Sequence, residues 1–146
     1  MTTLRNGPAL SDKELDKWCY HHVPQYKGTI NKNDFAKLYP TMIPGDSCII
    51  NLDPDYENGG THWTAIRVSS EGPIVYYKDS FGVAPPQIVV DTVNSHGQPP
   101  KGLVFGDLKY QQMKESNCGY RAAMFLRSMS YAGKNNKEIE YFKKFG

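Results

Sequence analysis

"YQQMKESNCGYRAAMFL", residues 110–126, changes character halfway. Its first half is polar and carries two adjacent glutamines. Its second half is an apolar, helix-forming run. Asn117 is a residue type that caps helices, so a helix is expected over 118–133, with Gly133 as its stop. Ala122, Met124, Phe125, Leu126 and Met129 are packed too densely for a helix with one wet face, so this helix is expected at the centre of the molecule. Cys118 then falls in its first turn.

A central helix needs layers around it. Upstream, "HWTAIRV" (62–68) and "PIVYYKD" (73–79) are rich in β-branched and aromatic residues, and "SSEG" (69–72) separates them by a hairpin-length turn. "DSCIINL" (46–52) is an apolar run of strand length. "LVFGDLKYQ" (103–111) reads as a strand kinked at Gly106. Helices are expected over 87–96 and 136–145. "LSDKEL" (10–15) opens another: Ser11 can cap, Glu14 completes a capping box, and Leu10 can pack on Leu15. Residues 21–45 are read as turns around one short helix near 33–39, because Pro24, Gly28, Pro40, Pro44 and Gly45 interrupt them. Residues 53–60 and 80–86 are loops by composition. Strands in the middle with helices at both ends predict a single α+β domain over 1–146.

Composition sets bounds. A chain of 146 residues holds one real core. The formal net charge of +2 does not argue for nucleic acid, and scattered lysines such as Lys134, Lys137, Lys143 and Lys144 read as a solvated face. The aromatic content of 12% argues against disorder. No apolar run reaches bilayer length, and "MTTLRNGPAL" lacks the core of a signal peptide, so a reducing compartment is expected. Cys19, Cys48 and Cys118 form no close pair, which speaks against a disulfide framework or a structural zinc site.

Cys118 has the setting of a nucleophile. The partial positive charge at a helix N-terminus favours the thiolate, and Gly119 leaves room for a substrate to approach. Taken alone, such a cysteine is more often a small buried residue. A thiolate needs a base. His62 begins a strand after the flexible "NGGT", whereas His21, His22 and His96 lie beside a helix or in a turn. Asp79 ends the neighbouring strand, so a hairpin brings it to the same sheet edge as His62, where it can orient the imidazole. Carbonyl chemistry also needs oxyanion donors. The backbone at Cys118 supplies one. Gln112, six positions before Cys118, or Gln111, seven before, can supply another.

These residues in this order resemble the adenain-like cysteine proteases, a superfamily that includes the adenovirus maturation protease and the Ulp-type proteases of SUMO-like modifiers. The likeness is carried by "GGTHWTAIRV" (59–68), "YYKDSFG" (76–82) and "QQMKESNCGYRAAMFL" (111–126). It implies a papain-like/adenain-like fold, with a central, mainly antiparallel sheet flanked by helices and the nucleophile at the head of a buried helix. It implies Cys118 as nucleophile, His62 as base, Asp79 as orienter and Gln112 in the oxyanion hole. Trp63 would lie over a narrow slot that favours glycine before the cut bond, with Asn117 and Gly119 beside the thiol on the substrate side. Asp79 and the spacing of Gln112 match the Ulp branch; adenain has Glu and a glutamine one position further. "GGTHW" and "DSFG" followed by prolines look like the proteases of virophages, Polinton-type elements and large DNA viruses.

The expected activity is therefore that of a thiol endopeptidase. It would cut capsid or other structural precursors at Gly-Gly-x or Gly-x-Gly sites during virion maturation, in the host cytoplasm and the virion. Neither a metal nor a cofactor is required for the chemistry. The chain is short beside adenain and lacks most of the region after the catalytic helix that serves the adenain peptide and DNA cofactors. Dependence on an activating peptide or DNA is therefore not carried over, and no membrane partner is expected. The alternatives are a deubiquitinase or SUMO-like isopeptidase on the same fold, or a capsid-associated binding module without catalysis.

Overall fold

A computed structural model describes residues 3–4, 10–52, 62–96, 101–110 and 117–146. Helix α1 spans Asp12–His22. Its capping box forms as the sequence predicts: Glu14 N–H donates to Ser11 Oγ at 3.1 Å, and Ser11 N–H donates to Glu14 Oε1 at 3.2 Å. Leu10 and Leu15 are buried in one core cluster with Trp18 and Cys19.

Strand β1, Tyr26–Asn31, lies where turns were expected. "YKGTIN" hides its strand character behind Pro24 and Gly28. Gly28 has φ 133°, a backbone conformation that side chains rarely adopt, and it sits in a bulge: Tyr26 pairs with Ser47, but Thr29 pairs with Ile49, which leaves one extra residue on β1. A short 3-10 turn (Lys32–Asp34), helix α2 (Phe35–Leu38) and a second 3-10 turn (Tyr39–Thr41) lead to strand β2, Ser47–Asn51. Strand β3 (Trp63–Val68) and strand β4 (Ile74–Lys78) follow. Helix α3 (Gln87–Ser95) then crosses to strand β5 (Gly102–Gly106). Helix α4 is Cys118–Lys134 and helix α5 is Glu138–Phe145.

The sheet order is β1-β2-β3-β4-β5. The three central strands are antiparallel, as expected, and the two outer ones pair parallel to their neighbours. Both faces of the centre are covered. Ile49, Ala65 and Tyr76 pack with α1 and α4, whereas Ile50, Ile66, Val75 and Tyr77 pack with Phe35, Val89 and Val93 of α2 and α3. This double burial explains why β2 and β3 read as continuous apolar runs without alternation.

The strand expected over 103–111 stops at Gly106. A Cβ there would lie 1.9 Å from the carbonyl carbon of Gly146, so the end of α5 sits directly on this glycine. The chain beyond Gly106 bonds elsewhere: Leu108 N–H donates to Gly146 O at 3.1 Å and Tyr110 N–H to Ser80 O at 2.7 Å. Helix α5 is tied to the β3–β4 hairpin by one buried carboxylate. Glu138 accepts from Arg67 Nε at 2.7 Å, Ser69 Oγ at 2.5 Å and Ser70 N–H at 3.2 Å.

Candidate active site

The start of β3 and the end of β4 meet at one edge because the two strands are antiparallel. Ala65 pairs with Lys78, so continuing the register sets position 64 opposite 79 and position 62 opposite 81. His62 and Asp79 are then diagonal neighbours on one face of the sheet. Their side chains meet: His62 Nε2 and Asp79 Oδ2 are 2.8 Å apart. Asp79 is almost fully buried, and its other oxygen, Oδ1, accepts from Phe81 N–H at 2.8 Å. The carboxylate is therefore held at both oxygens.

"DSFG" is the turn that makes this possible. Gly82 N–H closes it onto Asp79 O at 2.8 Å. Gly82 has φ 72°, and a Cβ there would come within 2.5 Å of Asp107 O. The turn also brings the Phe81 ring onto the imidazole, with centroids 5.1 Å apart and planes 30° from parallel. Phe81 stands in a quoted motif, yet its contact with His62 was not anticipated. An offset aromatic contact of this kind contributes about 0.5–1.5 kcal/mol. Phe81→Ala is therefore expected to cut turnover of any substrate processed through His62 by about 2- to 10-fold, with the fold intact by circular dichroism.

Helix α4 approaches the same edge from the other side. Cys118 is its first residue and is 5% exposed. Asn117 occupies the cap position, but its backbone (φ −104°, ψ 27°) is not extended and its side chain makes no capping hydrogen bond. The helix start is instead fixed by Arg121 N–H donating to Asn117 O at 3.0 Å. Trp63 N–H donates to Cys118 Sγ at 3.4 Å, a contact invisible in the sequence because it uses the backbone. His62 is hydrogen-bonded to Cys118 as well as to Asp79. With Nε2 committed to Asp79, Nδ1 is the ring atom left for the thiol.

The imidazole is set to hold a proton. Burial lowers its pKa, but the hydrogen bonds to Asp79 and Cys118 and the charges of both outweigh that and raise it to about 9. The other cysteines have the opposite fate. Cys19 and Cys48 are fully buried, and burial pushes their thiols up, Cys19 to about 12. A donor from the backbone, a protonated imidazole and a helix N-terminus converge only on Cys118 among the three.

Trp63 does two things. Its ring belongs to the core with Leu15, Cys19 and Cys118, and its Nε1–H donates to Leu10 O at 3.1 Å. One edge of it borders an open depression of about 460 Å³ together with Ser11, Asp12, Asn31, Asp34 and Asn51. Gly119 has a different surrounding from the one expected. A Cβ there would lie 3.0 Å from Trp63 Cδ1 and 3.4 Å from both Leu10 and Leu15, so the space beside this glycine is filled by the Trp63 ring and α1. The structure thus brings together Cys118, His62, Asp79, Trp63, Asn117 and Gly119. Gln112 and Gln111 lie outside the described residues.

No family model and no curated protein matches the chain. Solved structures do. The ASFV pS273R protease superposes with a TM-score of 0.59 at 17% identity, over 95% of this chain and 62% of that one. A selenomethionine structure of the same protease gives 0.55 at 18%, over 87% and 60%. The SUMO protease Ulp1, with its catalytic cysteine oxidised to a sulfinic acid, gives 0.50 at 18%, over 91% and 74%. The chain therefore spans less than two thirds of the ASFV structures, at 62% and 60% of their length. The five-stranded sheet, the cysteine at the head of the covering helix and these three likenesses agree: the chain has the fold of the Ulp/adenain-like cysteine proteases.

Proposed function

We propose that the chain is a thiol endopeptidase in which Cys118, His62 and Asp79 act as nucleophile, acid–base and orienter. The observation that carries this reading is the single imidazole hydrogen-bonded to both a buried aspartate and the thiol in the first turn of α4. The Cys118 thiolate attacks the scissile carbonyl, and the C–S bond forms as the carbonyl π pair moves to oxygen. The oxyanion is met by backbone N–H groups at the head of α4, which have no intrahelical partners, and by Gln112. His62 passes its proton to the amide nitrogen, the C–N bond breaks and the amine leaves. Water, deprotonated by His62, then hydrolyses the thioester and returns the thiolate. Asp79 orients the imidazole and stabilises the imidazolium whenever it forms.

The substrate is a polypeptide with small residues before the cut bond, of the Gly-Gly-x or Gly-x-Gly type, threading past Trp63. The likeness to the ASFV protease and the viral flavour of "GGTHW" and "DSFG" support a viral maturation role on capsid or other structural precursors, in host cytoplasm and virion. Among the described residues no helix is long and apolar enough to cross a membrane.

Alkylation tests the site without a known substrate. Between pH 6 and 8, iodoacetamide should modify Cys118 at least about tenfold faster than Cys19 or Cys48, as read by peptide mass spectrometry, and His62→Ala should remove that advantage. The pH dependence has a definite sign. The imidazolium persists until pH rises through about 9, so kcat/KM on a Gly-Gly peptide should fall above that value as His62 loses its proton. Equal reactivity of the three cysteines would sink the proposed pair.

A further inference from the structure

A second cavity, of about 290 Å³, lies between the end of β4 and helices α4 and α5, and Cys118, His62 and Asp79 do not line it. Two cationic side chains do. Lys78 is 4% exposed; its Nζ donates to Leu108 O at 2.5 Å and lies 5.0 Å from the centre of the Tyr110 ring. Arg121 has a buried Nε with no hydrogen-bond partner among the described residues. Neither cation makes an ion pair among the described residues, and no carboxylate is among the residues that line the cavity. The remaining wall is apolar and aromatic, with Tyr110, Tyr141, Met124 and Phe125.

Among the described residues the wall of this cleft carries two cations and no carboxylate. Burying a cation without a direct ion-pair contact is costly, and burial brings the Lys78 pKa down to about 8, outweighing the more distant charges of Asp79 and Asp107. A partner anion would restore what desolvation removed. A guanidinium prefers a carboxylate, which it can grip through two parallel hydrogen bonds, and an ammonium adds a point charge. Aromatic walls take up an apolar body. The volume suits one ring-sized acid.

We propose that this cavity binds a carboxylate carried on an apolar body, with Arg121 gripping the carboxylate, Lys78 adding the second charge and the tyrosine and phenylalanine rings holding the body. Arg121 stands one turn after Cys118 on α4, and Lys78 precedes Asp79 on β4. An occupant therefore braces both elements that carry the candidate active site. The carboxylate has two sources: an acidic residue of a bound polypeptide, or a small free acid.

Titration calorimetry on the full chain at pH 7 tests the site, with phenylacetate as probe and phenylacetamide as its neutral twin. Phenylacetate should bind at least tenfold more tightly than phenylacetamide. Arg121→Met should lower phenylacetate affinity at least tenfold and leave the amide unchanged. Lys78→Met should act in the same direction, and thermal melts check that both variants fold. Should Lys78→Met fail to fold, the partly exposed Arg121 decides alone. Equal affinity for acid and amide, or acid binding untouched by Arg121→Met, overturns the proposal. The source is separated by cleavage of peptide pairs with Glu or Gln on the leaving side, an arm that rests on the protease reading. A tenfold preference for Glu that Arg121→Met removes assigns the site to the polypeptide. Phenylacetate binding without any such preference assigns it to a small free acid.

Discussion

Cys118→Ala is expected to reduce cleavage of a Gly-Gly-x peptide by roughly 10⁴-fold or more, to the residue of rate that binding and oxyanion donors supply without a nucleophile. The substitution removes one sulfur from a site already tightly packed by Trp63 and the first turn of α4. Its cost to stability should be about 1 kcal/mol, well within the margin of a domain this size. The lost rate is then chemical and not structural, which a melt on the same sample establishes. His62→Ala should fall by a similar factor, because the thiol and the imidazole act as one unit and their losses do not add. Retention of more than about 1% of parent activity in Cys118→Ala would place the nucleophile elsewhere.

The largest effect on stability is expected at Glu138. This side chain is fully buried and satisfies Arg67, which is 4% exposed, together with Ser69 and Ser70. Glu138→Ala leaves the guanidinium buried and uncompensated, which costs about 3–5 kcal/mol. Urea melts should show it as a lower midpoint at unchanged slope. Removing both charges with Arg67→Met and Glu138→Leu should recover most of that loss, since buried pairs replaced by apolar groups are often neutral. The dependence on pH has the carboxylate sign. Burial raises the Glu138 pKa, but the hydrogen bonds from Ser69, Arg67 and Ser70 and the Arg67 charge outweigh it and hold the group below its ordinary value. Its contribution is complete above the unfolded pKa of about 4.3 and is lost as pH falls through the folded value. Glu138→Ala should therefore flatten the acid limb of the stability profile.

Residues close in sequence carried most of what could be read. Ser11 and Glu14 form their capping box because both partners sit within one turn. The apolar density after Cys118 predicted a central helix because burial on a helix follows local composition. Strand β1 escaped because its evidence is not local. "YKGTIN" is weakly apolar and carries Gly28, and what makes it a strand is the ladder it forms with Ser47–Asn51, with the bulge absorbing the glycine. The outer strands' parallel pairing escaped for the same reason, since a crossover direction is decided by where α2 and α3 can pack. Gly119 was assigned room for a substrate, and only the packed molecule reveals that Trp63 and α1 occupy that room.

By itself the sequence determined the α+β class, the helix headed by Cys118 and the chemical identities of Cys118, His62 and Asp79, because helix periodicity, capping and side-chain chemistry are properties of short stretches of chain. The tertiary structure decided the rest. The register of β3 on β4 made His62 and Asp79 diagonal neighbours, and the "DSFG" turn put Phe81 against the imidazole. The docking of α4 set the Trp63 N–H on the sulfur, and the docking of α5 put Glu138 on Arg67 and closed a cationic cavity around Lys78 and Arg121. These are contacts between residues tens of positions apart, whose geometry follows from packing between elements and leaves no pattern in any one of them.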